Sequence, residues 1–342
     1  MLKIDLRSDT VTKPTPEMLR FMFQAEVGDD VYEEDPTVNA LEEKTAALFN
    51  MEAGLFCPSG TMTNQIAIKA HTEPLSEVIC DYTAHIYQYE VGGIAFNSGA
   101  SVYLLHGERG IVTAEMVKSA IRPDDNIHYP TTRLVSLENT ANKGGGAFYT
   151  LSQIAAIAQV CQEQNLALHL DGARVFNALI AADENSQDYG RYFDSISVCL
   201  SKGLGIPVGS VLLGSKAFIK KTRRIRKVLG GGMRQAGYLA AAGIYALDHH
   251  VQRLSEDHLR AQELEAVLKA SSYVHSVLPV QTNIVIFTLV PEVSTHTFLQ
   301  KLKEEGILAI EFGPQQIRFV THLDYTNEMA EQTLKILKNL SF

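Results

Sequence analysis

Two ionisable side chains stand at the ends of apolar runs in this sequence. The run LALHLD ends at Asp171, and the run SISVCLSK ends at Lys202. A buried carboxylate or amine is costly unless it meets an opposite charge or is covalently engaged, so each residue requires a partner. An ion pair with nearby Arg174 would satisfy Asp171, and an exposed loop would satisfy Lys202.

Taken together, these two residues indicate a more specific chemistry. A lysine that forms a Schiff base with an aldehyde, and an aspartate that keeps a pyridine nitrogen protonated, are the pair expected around pyridoxal phosphate. The protonated ring then accepts electrons released from a substrate carbon. We therefore predict a pyridoxal-phosphate enzyme in which Lys202 and Asp171 face opposite ends of the cofactor ring.

Two segments are candidates for binding the cofactor phosphate. In CPSGTMTNQIAIKA, Ser59 can cap a helix that begins with Gly60 and Thr61, whose amides would point at an anion. A plain capped helix is the alternative. In GGGMRQ, three glycines allow a close approach to the backbone, and the following Arg234 suits a phosphate or a carboxylate.

Two histidines are candidates for the general base of the reaction. His85, in AHIYQYE, follows the apolar run VICD and can also stack on a flat cofactor, whereas His128 precedes the run TRLVSLEN. Imidazole accepts a proton near neutral pH, so both residues suit the role. A bound water molecule is the third candidate, and the sequence does not choose among them.

Short apolar runs alternate with segments of helical period through most of the chain, as in layered α/β folds. Between two runs, residues 151–164 carry apolar side chains at three- and four-residue steps, which predicts a helix packed on a sheet. We therefore predict a mostly parallel sheet, with the ligand crevice beyond the carboxyl ends of its strands. The candidate strands are 77–81, 101–106, 133–138, 166–171, 195–200 and 210–213.

The pattern changes after about residue 240, where longer helices are followed by a second set of strands. The candidate helices there are 238–247, 251–269, 294–305 and 327–339, and the candidate strands are 282–287 and 316–319. We predict an N-terminal arm (1–14), a large α/β domain (15–244) and a small C-terminal α+β domain (245–342).

Composition excludes several classes of partner. Acidic residues outnumber basic ones, 39 to 30, which argues against nucleic acid. The one basic stretch, 220–227, is expected to be an exposed helix face. No segment has the length of apolar sequence that crosses a bilayer, and no leader is evident, so we predict a cytoplasmic protein.

The cysteines and the paired acidic residues do not form a metal-binding pattern. The four cysteines stand singly in apolar surroundings, which predicts buried thiols. Asp29 and Asp30 are expected to be solvated or capping carboxylates, so no metal is predicted.

The motifs as a set resemble the L-threonine aldolases, pyridoxal-phosphate enzymes with the aspartate-aminotransferase-like fold, known as fold type I. The resemblance runs nearly end to end, through DLRSDTVTKP, VGDDVYEEDPTVNALE, PSGT, AHIYQYE, TRLVSLENT, LHLDGAR, CLSKGLGIPVGS, GGGMRQ and RFVTHLD. One departure is Ala141, in ENTAN, where the family usually has a histidine.

The resemblance implies a role for each candidate site residue. Lys202 would carry the Schiff base, Asp171 would bind the ring nitrogen, and His85 would stack on the ring. Gly60 and Thr61 would hold the phosphate, together with Arg234 from a neighbouring subunit. The substrate carboxylate would be bound by Ser8, Arg174 and Arg318.

The implied reaction is reversible cleavage of threonine or allo-threonine to glycine and acetaldehyde, in a homo-oligomer that is at least a dimer and by resemblance a tetramer. The alternatives are another pyridoxal-phosphate reaction, such as β-elimination or alanine racemisation, and a non-catalytic homologue that keeps the fold. An isolated nucleotide-binding domain is disfavoured because no G-x-G-x-x-G follows the early strands. The sequence does not decide among threonine, allo-threonine and phenylserine as substrates.

Overall fold

The computed structural model describes residues 3–342. In chain order, the elements up to residue 249 are β1 (Ile4–Asp5), α1 (Pro16–Phe23), α2 (Pro36–Leu48), β2 (Ala53–Cys57), α3 (Gly60–His71), β3 (Ser76–Asp81), α4 (His85–Gln88), β4 (Ser101–Leu105), α5 (Ala114–Ala120), β5 (Thr131–Glu138), α6 (Leu151–Glu163), β6 (Ala167–Gly172), α7 (Val175–Ala182), α8 (Ser186–Gly190), β7 (Ser195–Cys199), β8 (Ser210–Gly214), α9 (Lys216–Val228) and α10 (Gly237–His249). The later elements are α11 (Leu254–Lys269), β9 (Val274–Val277), β10 (Ile284–Leu289), α12 (Thr295–Glu304), β11 (Ile307–Leu308), β12 (Ile310–Gly313), β13 (Gln316–Val320) and α13 (Asn327–Asn339).

A seven-stranded sheet forms the centre of the large domain, in the order β2-β8-β7-β6-β5-β3-β4. Strands β4, β3, β5, β6 and β7 are parallel to one another, and β8 runs antiparallel to both of its neighbours. The predicted α/β class with a mostly parallel sheet is therefore confirmed. Strand β2, with the sequence AGLFC, was not predicted because it is short and contains no β-branched residue.

Helix α6 shows how the sequence positions the layers around this sheet. Its first turn carries a capping box, in which Thr150 and Gln153 satisfy each other's backbone amides. Ile154, Ile157 and Cys161 form its buried face against the main core. The periodicity of residues 151–164 thus predicted both the helix and its buried face.

The basic stretch 220–227 in α9 was expected to be an exposed helix face, and Arg226 is a buried exception. Lys220, Lys221 and Arg224 are exposed as expected, but Arg226 lies on the buried face and is only 3% exposed. Its guanidinium contacts Asp30 Oδ2 at 2.8 Å and donates to the Phe56 carbonyl oxygen at 2.6 Å. The expectation of an exposed face is wrong for Arg226, because a buried carboxylate supplies the partner that the sequence did not reveal.

A four-stranded antiparallel sheet, β12-β13-β10-β9, forms the small domain with its own apolar core. The arm joins this domain, because β1 pairs in parallel with β11 and Ile4 and Leu6 enter the second core. Within α11, Leu254 belongs to the main core and Ala261 to the second. We propose that the domain boundary lies within α11, since residue 245 falls inside α10, whose Ala246 packs in the main core.

All four cysteines are free and buried, as the sequence predicted. Among residues 3–342, no helix combines the length and apolar character that crossing a bilayer requires.

Candidate active site

The carboxyl ends of the parallel strands bring the candidate residues to one edge of the sheet. Glu138 ends β5 directly beside Asp171 of β6, His85 begins α4 after β3, and Lys202 follows β7. These ends line a cavity of about 450 Å³ that the small domain and the arm close. The lining residues are Ser8, Thr10, His85, Tyr89, Glu138, Asn142, Lys143, Ala173, Arg174, Lys202, Ile310, Glu311, Phe312 and Arg318.

Asp171 lies at the inner end of this site and is 4% exposed. It accepts hydrogen bonds from Asn64 Nδ2 at 2.9 Å and from the Ala173 backbone N–H at 3.1 Å. Burial raises the pKa of Asp171, and the charges of His85 and Lys202 oppose that rise. The simple alternative of an ion pair with Arg174 is wrong, because Arg174 bonds another carboxylate.

The side chain of Lys202 has no hydrogen-bond or ion-pair partner among residues 3–342 and forms part of the cavity lining. Its positive charge opposes the rise in the pKa of Asp171 that burial causes, and it adds to the lowering of the pKa of Asp9 by Arg174. A half-buried amine facing a cavity with no polar partner is available for covalent engagement. The donor set therefore fits an aldehyde cofactor whose ring nitrogen meets Asp171.

Arg174 forms a buried bidentate pair with Asp9 of the arm. Its Nε lies 2.7 Å from Asp9 Oδ2, and its Nη2 lies 2.8 Å from Asp9 Oδ1. Burial would raise the pKa of Asp9, but the charge and hydrogen bonds of Arg174 bring it to about 2. Asp9 also accepts from Asn283 Nδ2 at 3.2 Å, so the arm, the large domain and the small domain meet at this carboxylate.

Arg318 of β13 enters the cavity from the small domain. It donates to Asn142 Oδ1 at 2.8 Å and to the Arg7 carbonyl oxygen at 3.0 Å, and its guanidinium carbon lies 4.3 Å from the centre of the Phe312 ring. Its Nε is buried and has no partner among the described residues. Burial and the nearby charge of Arg174 lower the pKa of Arg318 to about 10. The guanidinium groups of Arg174 and Arg318 line the same cavity, and such a pair fits a substrate carboxylate.

His85 is held by two buried carboxylates. Its Nδ1 lies 3.1 Å from Glu90 Oε1, and its backbone N–H donates to Glu138 Oε2 at 2.7 Å. Burial alone would lower the pKa of His85, but the bond to Glu90 and the charges of Asp171, Glu90 and Glu138 raise it. Burial and the charge of Asp171 raise the pKa of Glu138 to about 7.

Helix α3 presents its N-terminus beside the strand that leads to Lys202. The hydroxyl of Ser59 caps the helix by accepting from the Met62 N–H at 3.2 Å. The first two helical amides, of Gly60 and Thr61, have no partner among the described residues. A Cβ added at Gly60 would lie 3.5 Å from Ser210 Oγ and 3.7 Å from Cys199 Sγ. These contacts are ordinary, so it is the two open amides that suit a phosphate at the helix N-terminus.

Six of the eleven candidate residues are not part of this cavity's lining: Asp171, Ser59, Gly60, Thr61, His128 and Arg234. His128 is exposed in the turn before β5, and Arg234, with a side chain 54% exposed, pairs with Asp29 Oδ2 at 2.8 Å. Ala141 also lies outside the lining and is buried, with its Cβ 3.0 Å from a Cβ added at Gly110. Ser8, in contrast, lines the cavity from the arm.

Sequence reasoning missed four polar residues that support the site: Asp9, Asn64, Glu90 and Glu138. Glu138 ends a strand as Asp171 does, so the same rule would have identified it. Asp9 and Glu90 lie within the motifs RSDT and AHIYQYE, but nothing in one sequence links them to Arg174 or His85. Asn64 carries no local signal, because a helical asparagine is ordinary.

The fold and the site together define a pyridoxal-phosphate-dependent lyase of fold type I. The model of the beta-eliminating lyase family matches residues 5–290, and the chain belongs to this family. It is 43% identical over 330 residues to low specificity L-threonine aldolase of Escherichia coli (strain K12), with 96% of each chain covered. It is 40% identical over 340 residues to low-specificity L-threonine aldolase 1 of Arabidopsis thaliana, covering 98% of this chain and 95% of the relative. Among solved structures, a threonine aldolase of Leishmania major superposes with a TM-score of 0.86 at 22% identity and 98% coverage of both chains.

Proposed function

We propose that this protein is a low-specificity L-threonine aldolase that cleaves β-hydroxy-α-amino acids, threonine or allo-threonine, to glycine and acetaldehyde. The observation that carries the proposal is one cavity lined by Lys202, which has no partner among the described residues, by the buried carboxylate of Glu138 and by two arginines, with Asp171 beside Glu138 on the next strand. The similarity to threonine aldolases over nearly the whole chain supports the same reaction. Pyridoxal phosphate, when bound, supplies an electron sink for the bond that breaks at the substrate α-carbon.

The chain's own residues would hold that cofactor at three points. Lys202 engages its aldehyde group, Asp171 binds the ring nitrogen, and the amides of Gly60 and Thr61 receive the phosphate at the start of α3. His85 lies on the cavity wall, where its ring can stack on the cofactor. Each contact comes from the carboxyl edge of the large sheet, so the cofactor site belongs to the large domain.

The substrate carboxylate binds between Arg174 and Arg318, with Ser8 as a further donor. Arg174 is oriented by Asp9, and Arg318, which lines the same cavity, is held by Asn142 and the Arg7 carbonyl oxygen. Binding at two guanidinium groups would fix the orientation of the α-carbon and its substituents in the cavity. This arrangement orients the β-hydroxyl side chain for cleavage.

His85 is the general base that removes the β-hydroxyl proton. It lines the cavity of this chain, whereas His128 is exposed outside it. Substituting His85→Asn is expected to lower the cleavage rate and to change the preference between threonine and allo-threonine. The matched control is His296→Asn on an exposed helix, and unchanged kinetics in His85→Asn would leave the base to His128 or a bound water.

The active unit is a cytoplasmic homo-oligomer, at least a dimer and by family likeness a tetramer. Arg234 lies at the surface near Asp29, outside its own chain's cavity, where it can reach a cofactor phosphate in a second copy. Large apolar side chains are exposed on the same molecule, including Phe23, Tyr32 and Phe96 at 80%, 71% and 89%. Sedimentation analysis tests the assembly, and a monomer that retains full activity would contradict it.

The reaction itself is tested by product analysis with both threonine diastereomers. The proposal predicts equal amounts of acetaldehyde and glycine, and no product in Lys202→Ala. Release of ammonia and an oxo acid from threonine would indicate β-elimination instead. In a parallel assay with L-alanine, racemisation without aldehyde release from threonine would indicate a racemase. Absence of every product from cofactor-loaded protein would support a non-catalytic homologue.

A further inference from the structure

Asn64, on the second turn of α3, connects two buried carboxylates of the active site. Its Nδ2 donates to Asp171 Oδ2 at 2.9 Å and to Glu90 Oε1 at 3.0 Å, so both amide hydrogens are used. Glu90 Oε1 in turn lies 3.1 Å from His85 Nδ1. One amide group therefore links the residue that meets the ring nitrogen to the residue proposed as the base.

The orientation of this amide is determined by its own chemistry. A carbonyl oxygen facing Asp171 and Glu90 would place three acceptors together without a hydrogen, which is unfavourable in a buried site. The Oδ1 of Asn64 must therefore face the other way, where it lies 3.2 Å from His169 Nε2. Because Oδ1 only accepts, His169 must carry its hydrogen on Nε2.

The same reasoning continues through two more residues. With its hydrogen on Nε2, His169 accepts at Nδ1, so Ser195 donates its hydroxyl hydrogen there at 2.8 Å. Ser195 Oγ is then free to accept from His71 Nε2 at 2.9 Å. Burial lowers the pKa of His169 to about 3 and that of His71 to about 4, so both rings stay neutral at ordinary pH.

We propose that Asn64 is a positioning residue of the reaction, locked in one orientation by the chain His71–Ser195–His169, and that it fixes Asp171 and His85 relative to each other. All three residues of this chain are at least partly buried, and His169 and Ser195 have no exposure to solvent. This row of hydrogen-bonded side chains therefore connects strands β6 and β7 to the last turn of α3. Its function is to keep the hydrogens of the Asn64 amide on the two carboxylates.

The inference rests on the proposed roles of Asp171 and His85, but it makes a statement that can be checked independently of activity. Neutron diffraction from deuterium-exchanged crystals of the full-length holoenzyme shows deuterium on ring and amide nitrogens directly. We expect deuterium on His169 Nε2 and none on Nδ1, with the amide nitrogen of Asn64 facing Asp171 and Glu90. Deuterium on His169 Nδ1, or a reversed Asn64 amide, would overturn the proposal and leave the proposed reaction unaffected.

The consequence for the cofactor is tested with Asn64→Leu. Removing the donor leaves the carboxylate of Asp171 buried with one backbone bond, so its charged form becomes less favourable and its hold on the ring nitrogen weakens. The dissociation constant for pyridoxal phosphate, measured by fluorescence titration of the full chain, should rise about tenfold.

The matched control is Asn177→Leu, which breaks another buried bond between an asparagine and a histidine, from Asn177 to His258 at 3.1 Å. Its cofactor affinity should stay within about twofold of the parent protein's. Equal losses in both variants would show a merely structural role, and no loss in Asn64→Leu would contradict the proposal. Should Asn64→Leu fail to fold, the hydrogen position on His169 in the parent protein still decides whether the proposal holds.

Discussion

At the scale of single residues, buried carboxylates hold two of the cavity's nitrogen-bearing side chains, Arg174 and His85. Asp9 holds Arg174 through two hydrogen bonds, and Glu90 holds His85 through one. Neither partner needs to contact the substrate itself. Asp9 instead fixes the orientation and charge of Arg174, and Glu90 does the same for His85, as preorganised sites require.

The pairing of Asp9 with Arg174 makes a specific prediction for Asp9→Asn. The substitution keeps the shape but leaves Arg174 as a buried cation without its counter-charge, which is strongly unfavourable. Arg174 should lose its orientation, and KM for threonine should rise about tenfold or more, with a smaller change in kcat. Steady-state kinetics test this, with Asp5→Asn, which removes the surface pair with Arg7, as the control. An unchanged KM would remove Arg174 from carboxylate binding.

The pairing of Glu90 with His85 predicts a change in pH dependence. Glu90 raises the pKa of His85, so a base at His85 becomes active only as pH rises through that elevated pKa. In Glu90→Gln the pKa of His85 should fall, because only the charges of Asp171 and Glu138 then raise it, and the acid limb of kcat/KM should move to lower pH. Glu77→Gln, which removes a buried carboxylate paired with Arg122 far from the cavity, should leave the limb unmoved. An unmoved limb in Glu90→Gln would exclude His85 as the titrating base.

At the scale of elements, parallel strands place their polar ends at one edge, and a helix start meets the same edge. Helix α3 serves two functions from one end: its first amides are open toward a ligand, and Ser59 satisfies the next amide. Its second turn contributes Asn64 to the interior. A single helix thereby joins the proposed phosphate site to Asp171.

The cap at the N-terminus of α3 should affect both the stability of the protein and its affinity for the cofactor. Ser59→Ala removes the cap and should cost about 1 kcal/mol of unfolding free energy, while the disordered first turn should also weaken cofactor affinity. Thr113→Ala removes the equivalent cap of α5, where Thr113 Oγ accepts from the Met116 N–H at 3.3 Å. Denaturant unfolding should show similar losses for both variants, and only Ser59→Ala should raise the cofactor dissociation constant. Equal cofactor affinities would contradict a phosphate at α3.

At the scale of the whole molecule, the proposed substrate site is assembled from three parts of the chain. The arm supplies Ser8 and Asp9, the large domain supplies Arg174, and the small domain supplies Arg318. Arg109 connects the two domains, since it donates to Gly144 of the large domain and to Gln281 and Pro279 at the small domain. The position of Arg318 therefore depends on how the domains are held together.

Loosening the connection between the domains should weaken substrate binding more than cofactor binding. In Arg109→Ala the small domain loses two hydrogen bonds to the large one, so Arg318 should be less well placed and KM for threonine should rise several-fold. The cofactor dissociation constant should not change, because the proposed cofactor contacts lie in the large domain. Arg20→Ala, at an exposed pair with Glu17, is the control. A change in cofactor affinity without a change in KM would contradict the assignment of the cofactor site to the large domain.

The sequence predicted the architecture well because alternation of strands and helices is a local pattern. It identified every strand of the parallel core, and the rule that polar residues gather at strand ends pointed to His85 and Lys202 in the cavity lining. The family resemblance added Ser8, Arg174 and Arg318, while the other lining residues were not predicted. It could not identify the partners of those residues, such as Asp9 for Arg174, because pairs distant in the chain leave no local signal. The buried Arg226 was missed for the same reason.

The central claim is that Lys202 engages the cofactor whose ring nitrogen meets Asp171. The most direct measurement is borohydride reduction of the cofactor-loaded protein, followed by peptide mass spectrometry. We expect a reduced pyridoxyl phosphate adduct on Lys202 in the parent protein, and much weaker cofactor retention in Asp171→Asn. An adduct on a different lysine, or no adduct in protein that has bound the cofactor, would contradict the account.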